Sequence, residues 1–181
     1  MSARSLPERR LLLLRHAKAE RGPGLEDHER PLARRGRRDA ERMGAEVARR
    51  RLAPERILCS SSRRTRETLD AILPQLPAGP AVVIDRELYL ASPEAILARI
   101  ADVDDRVRTL LVVGHNPGIA ALAEQLAAGG DAHALARLRE KLPTCGLAEI
   151  RTRASRWRDL APGGGILAAF LTPRDLAGRG G

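Results

Sequence analysis

Aromatic side chains are nearly absent from this chain of 181 residues: Trp157, Tyr89 and Phe170 are the only three. Binding of single-stranded nucleic acid through stacked bases needs a platform of such rings, so their scarcity argues against that mode. Cysteine is scarce as well. Cys59 and Cys145 are too few for a disulfide framework and have no metal-ligand spacing around them. Cys59 closes an apolar run and reads as a small buried hydrophobe. Long hydrophobic runs are missing too. A membrane span needs about 20 apolar residues, and Leu11–Leu14 is even too short for the apolar region of a secretory signal. A soluble, cytoplasmic protein is expected. Lysine is almost lacking: apart from Lys18 and Lys141, all of the 32 basic residues are arginines, and the formal charge is +9. Such a balance attracts phosphates, acidic proteins or nucleic acid, although most of these arginines read as an ordinary solvated surface.

Apolar runs alternate with helical patterns along the chain. Residues 1–181 are therefore expected to form one α/β domain, a three-layer α/β/α sandwich on a mixed, mainly parallel sheet. Leu11–Leu14 reads as a buried strand, and the polar, Gly/Pro-containing stretch 21–31 as a loop. Ala40, Met43, Val47 and Ala48 recur at helical spacing over 33–51. Ile57–Cys59 is a second strand, followed by a helix over 64–73 that Pro74 stops. Ala81–Ile84 is a third strand. Ser92-Pro93-Glu94 carries a helix start: a capping hydroxyl, proline in the first turn and an early acid. Thr109–Val113 is a fourth strand, and Asn116-Pro117 opens the next helix, running to about Ala127. Late strands are expected over 147–151 and 166–172, with Trp157 packed against them. Loose ends are expected at 1–8 and 177–181.

Three polar clusters follow strand ends: Arg15-His16, Ser60–Arg64 and His115-Asn116. In open α/β sheets, ligand sites gather beyond the carboxyl ends of parallel strands. Two arginines and two histidines with few acids nearby make an anion pocket. The arginine fork pairs two phosphate oxygens and stays charged, while neutral histidine is a nucleophile near pH 7. No run of carboxylates suggests magnesium, and no Gly-rich loop with lysine suggests a triphosphate cradle, so neither metal nor cofactor is expected.

The segment Leu13-Leu14-Arg15-His16-Ala17-Lys18-Ala19 resembles the Arg-His-Gly segment of the histidine phosphatase superfamily, and more closely that of its small SixA-type phosphohistidine phosphatases. Further segments match in order: Arg30-Pro31-Leu32 with Gly36, then Cys59–Thr68, then Val113–Pro117. Trp157, Gly165-Ile166-Leu167 and Thr172–Leu176 complete a set spanning about residues 11–176. The resemblance implies a phosphoglycerate mutase-like fold and a metal-independent phosphatase. His16 would carry the phosphate, Arg15 and Arg64 would grip its oxygens, and His115 would complete the pocket. The ring nitrogen of His16 that does not attack should donate to a carbonyl. Ala17 stands where the superfamily usually has glycine. Ser61, Ser62 and Thr65 depart from its pattern around the second arginine, which leaves Arg63 as the runner-up to Arg64. Glu87 falls in the region of the larger relatives' acid and is the candidate proton donor. Asn116 reads as a helix cap or a minor phosphate ligand, and Lys18 as a rim cation or a solvated residue. His28 and His133 read as loop or surface residues.

The implied substrate is a phosphorylated protein bearing phosphohistidine, or alternatively a small phosphomonoester. A monomer is expected. From another class, a basic module that binds RNA or an acidic partner without turnover is the competing reading.

Overall fold

Four consecutive leucines set the centre of the molecule. In the computed structural model, which describes residues 8–22, 24–77 and 79–178, Leu11–Leu14 lie within strand β1 (Arg9–Arg15) and are fully buried. Alternate side chains of a strand point to opposite faces. Leu11 and Leu13 therefore enter one core and Leu12 and Leu14 the other. A strand covered on both faces reads as an unbroken apolar run.

Six further strands join β1: β2 (Arg56–Ser60), β3 (Ala81–Asp85), β4 (Thr109–Gly114), β5 (Ala127–Gly130), β6 (Leu147–Thr152) and β7 (Gly165–Leu171). They form one sheet in the order β3-β2-β4-β1-β6-β7-β5. Strands β3, β2, β4 and β1 are mutually parallel, and β6 runs antiparallel to both β1 and β7. The sheet is thus mixed and mainly parallel. Helices α1 (Arg34–Arg49), α2 (Arg63–Ile72) and α6 (Pro173–Ala177) supply one outer layer through Met43, Val47, Leu69, Ile72 and Leu176. Helices α3 (Pro93–Ala101), α4 (Gly118–Leu126) and α5 (Ala132–Glu140) supply the other through Ile96, Ile100, Leu122 and Leu138. Among the described residues, no helix is long and apolar enough to cross a membrane.

The predicted helix start at Ser92 is present, with its hydroxyl accepting from the Ala95 amide. Trp157 is fully buried in the core that includes Ile150 of β6 and Leu167 of β7, and its Nε1 donates to the Val107 carbonyl. The expected loose ends lie, apart from Glu8, Ala177 and Gly178, outside the described residues. Three elements were not foreseen: β5, α5 and the short helix α6. Ala127–Gly130 has a composition that disfavours strands, but its ladder with β7 holds it at the sheet edge. The α5 helix had a visible start in Asp131, whose carboxylate accepts from the Ala134 amide.

The first turn of α1 is pressed onto the segment that follows β1. The Ala33 amide donates to the Lys18 carbonyl, and a Cβ added to Gly36 would fall 2.1 Å from that same oxygen. Gly36→Ala is expected to cost about 2–3 kcal/mol through this overlap with backbone. Urea unfolding measures it, and a wild-type midpoint would refute the contact.

Candidate active site

The register brings the carboxyl ends of the parallel strands into line: Arg15 lies opposite Gly114, and Cys59 opposite Val113. All three polar clusters therefore emerge at one edge of the sheet. There, a cavity of about 240 Å³ is lined by Arg15, His16, Lys18, Arg21, Arg30, Arg64, His115 and Asn116, together with Ala19, Leu90 and Thr144. A larger hollow of about 370 Å³, beside Gly163–Gly165 and Arg151–Arg153, contains no histidine and no convergent polar groups of this kind.

His16 is held by its backbone and its ring. Its amide donates to the Gly114 carbonyl, and its Nδ1 lies 2.7 Å from the Ala17 carbonyl oxygen. A carbonyl only accepts, so Nδ1 carries the proton and Nε2 keeps the lone pair. Ala17 is buried, and its amide donates to the Thr68 hydroxyl at 3.0 Å. The centroids of the His16 and His115 rings are 5.2 Å apart. His115 is buried, with Nε2 at 2.7 Å from the Ser60 hydroxyl and Nδ1 at 3.4 Å from Nη2 of Arg64.

The structure separates the two candidate arginines. Arg64 is 3% exposed and lines the cavity. Arg63 is exposed, with its Nε on Glu67 one helical turn away. The offset follows from the start of α2, where the Ser62 side chain caps the helix through the Thr65 amide. Residue 64 is thereby rotated inward and residue 63 outward. Both Nη atoms of Arg64 meet Asp27, Nη1 at its main-chain carbonyl and Nη2 at Oδ2. The Tyr89 hydroxyl donates to the same Oδ2 at 2.6 Å, and Arg30 donates to Oδ1. Hydrogen bonds from Tyr89 first, and then from Arg30 and Arg64, hold the Asp27 carboxyl well below the usual carboxylate range, so it is ionised. The Nε atoms of Arg15 and Arg64 are buried without a protein partner.

Glu87 requires a correction. Its main-chain amide is tied to Asp85 Oδ1 in the turn after β3. Its side chain is exposed and does not line the cavity. The same turn brings Tyr89 edge-on to His115, at 5.5 Å between centroids, and places Leu90 on the rim. Asn116 is also not the expected cap. The side chain of Asn116 donates to the Leu142 carbonyl, which Arg15 Nη1 also reaches, and α4 begins without a side-chain cap. Lys18 is exposed on the cavity rim. His28 packs on Tyr89 and contacts Ser61 through Nε2, while His133 is exposed.

Sequence reasoning missed Asp27 and Tyr89. Their only signal was that the single tyrosine lies two residues beyond Glu87 and that Asp27 precedes the matched Arg30-Pro31-Leu32. Two residues beside the cavity have left-handed backbone, Leu90 with φ of 50° and Cys145 with φ of 59°. The Cys145 amide donates to the carbonyls of both Arg15 and His16, which fixes the loop carrying Thr144 against the end of β1.

Burial lowers the pKa of His16 to about 4 and that of His115 to about 3, helped at His115 by His16 and Arg64. Both rings are neutral at pH 7. A histidine whose folded value lies below its unfolded value of about 6.5 binds its proton more tightly when unfolded. The two therefore stabilise the fold fully above about pH 6.5, and that contribution drains away as pH falls towards 4 and below. The thermal midpoint is expected to drop across this window. His115→Asn should flatten the drop, and an unchanged slope would refute the assignment.

A family model, the histidine phosphatase superfamily (branch 1), matches residues 11–89. An uncharacterized protein of Mycobacterium tuberculosis is 42% identical over 163 residues, covering 89% of this chain and all of the relative. A solved structure from Nakamurella multipartitia that bears the name phosphohistidine phosphatase SixA is 34% identical, covers 92% of this chain and 97% of its own, and superposes with a TM-score of 0.80. One from Agrobacterium tumefaciens under the same name is also 34% identical, covering 91% and 98% with a TM-score of 0.77.

Proposed function

The chain belongs to the histidine phosphatase superfamily as a SixA-type member, and from that premise we propose that it hydrolyses phosphohistidine through a covalent phosphate on His16. The observation that carries this reading is the make-up of the cavity wall. It holds a neutral imidazole with a free Nε2, a set of cations and, among the described residues, no carboxylate.

Each group has a task that its geometry supports. His16 Nε2 attacks phosphorus as the bond from phosphorus to the substrate's imidazole nitrogen breaks. Low basicity through burial keeps the His16 lone pair available at neutral pH. Arg15 and Arg64 offset the charge spread over the phosphoryl oxygens, and their unpartnered Nε groups are donors in reserve. His115 Nε2 lies 2.7 Å from the Ser60 hydroxyl and its Nδ1 faces Arg64 Nη2, which fixes the ring in the cavity wall beside His16. Water then attacks phosphorus, releases inorganic phosphate and restores His16.

The missing acid selects the leaving group. An alkoxide expelled from a sugar phosphate needs a proton in the transition state, and a positioned acid contributes about 10²–10⁴-fold there. Asp27, the carboxylate bound to Arg64, is ionised and cannot give one. A phosphohistidine protonated on its distal nitrogen leaves as neutral imidazole and needs no such help. The kcat/KM for a phosphohistidine peptide is therefore expected to exceed that for the best of a panel of sugar and nucleotide phosphates by about 10²-fold or more. Steady-state phosphate release measures both. Preference for a member of the panel would overturn the substrate assignment while leaving the nucleophile open to its own test.

A further inference from the structure

We propose that Lys18, Arg21, Arg34 and Arg38 form a docking surface for an acidic segment of the protein that carries the phosphohistidine. This rests on the phosphohistidine reading and adds to it the chemistry that flanks the target residue.

The charge balance of the cavity is the first support. Arg15, Lys18, Arg21, Arg30 and Arg64 line it. Asp27 neutralises one positive charge through its bonds to Arg30 and Arg64. A phosphoryl group brings about two negative charges. Two cations then remain without a counterpart. Lys18 and Arg21 are the two lining cations whose side chains make no ion pair or hydrogen bond among the described residues.

The start of α1 is the second support. Arg34, Arg35, Arg37 and Arg38 fill four of its first five positions, and its first turn has no acid. Positive side chains there face the positive end of the helix dipole, which is locally unfavourable. Arg35 and Arg37 reach Asp39 and Glu67. Arg34 and Arg38 are exposed and have no ion-pair partner among the described residues. A local cost without compensation inside the fold points to a partner outside it. The α1 start also adjoins the cavity, because Ala33 and Gly36 rest on the Lys18 carbonyl.

A small metabolite would use only the cations inside the cavity. Cations on an exposed helix start that packs beside Lys18 suit an extended acidic polypeptide, with charge complementarity setting encounter rate and partner choice.

The test uses two phosphohistidine peptides, one with Asp and Glu flanking the target and one with Ser and Gln, and phosphoimidazole as a small reference. Wild-type kcat/KM is expected to be about 10-fold higher on the acidic peptide, with the ratio approaching one in about 0.5 M salt. The double variant Arg34→Gln/Arg38→Gln should shrink the ratio at least about threefold and leave phosphoimidazole turnover unchanged. Equal rates on the two peptides, or a ratio that the double variant does not alter, overturns the docking surface alone. Absence of turnover on all three substrates removes the phosphohistidine reading and the docking surface together.

Discussion

His16→Ala is expected to lower turnover by at least about 10⁴-fold, the loss seen when a catalytic nucleophile is removed. The arginines and His115 would remain, so a trace of charge stabilisation persists, but nothing is left to take the phosphoryl group. The fold should survive. The His16 side chain contributes one ring hydrogen bond, to Ala17, and a net hydrogen bond is worth about 1 kcal/mol. The structural anchors of this segment are main-chain bonds from His16 to Gly114 and from Cys145 to Arg15 and His16, which alanine keeps. Two readouts are needed: phosphate release, and an acid-labile phosphoryl adduct mapped by mass spectrometry. Wild-type-like turnover in a folded variant, or an adduct on another residue, would refute the nucleophile.

Arg64→Ala should reduce kcat/KM by about 10²–10³-fold, in the range for loss of a preorganised donor facing transition-state charge. Arg63→Ala should change it less than about twofold, because an exposed ion pair one helical turn apart is worth about 0.3–0.5 kcal/mol. The contrast is sharp because the residues are adjacent and chemically identical, and only their place on α2 differs. Arg64→Ala also leaves Asp27 without its buried partner, so some stability is lost. Arg64→Lys controls for this: it keeps a charge near Asp27 but lacks the planar fork, and it should recover stability more than activity. Equal losses at residues 63 and 64 would dissolve the distinction that the cap at Ser62 creates.

Much of the fold was legible in the sequence because its signals are local. An unbroken Leu11–Leu14 bounded by charge on both sides reads as a strand buried on both faces, and Ser92-Pro93 supplies a cap and a first turn within three residues. The candidate site was half legible for a related reason. Arg15-His16, Ser60–Arg64 and His115-Asn116 each follow an apolar strand, so strand placement alone aims them at one edge. Ala127–Gly130 was hidden because nothing in its own residues favours a strand, and its stability comes from β7, some 40 residues away.

By itself, the amino-acid order determined the layered architecture and pointed to an anion pocket built around Arg15, His16 and His115. These follow from residue chemistry and short-range periodicity. Only the tertiary structure placed Arg64 and not Arg63 at the cavity, left Glu87 outside it, and brought in Asp27 and Tyr89. The last two of those outcomes rest on contacts between segments remote in the chain: Arg64 meets a loop 37 residues earlier and Tyr89 reaches that same loop across 62. Local composition has no term for such encounters. They are fixed when the sheet closes and its strand ends come together.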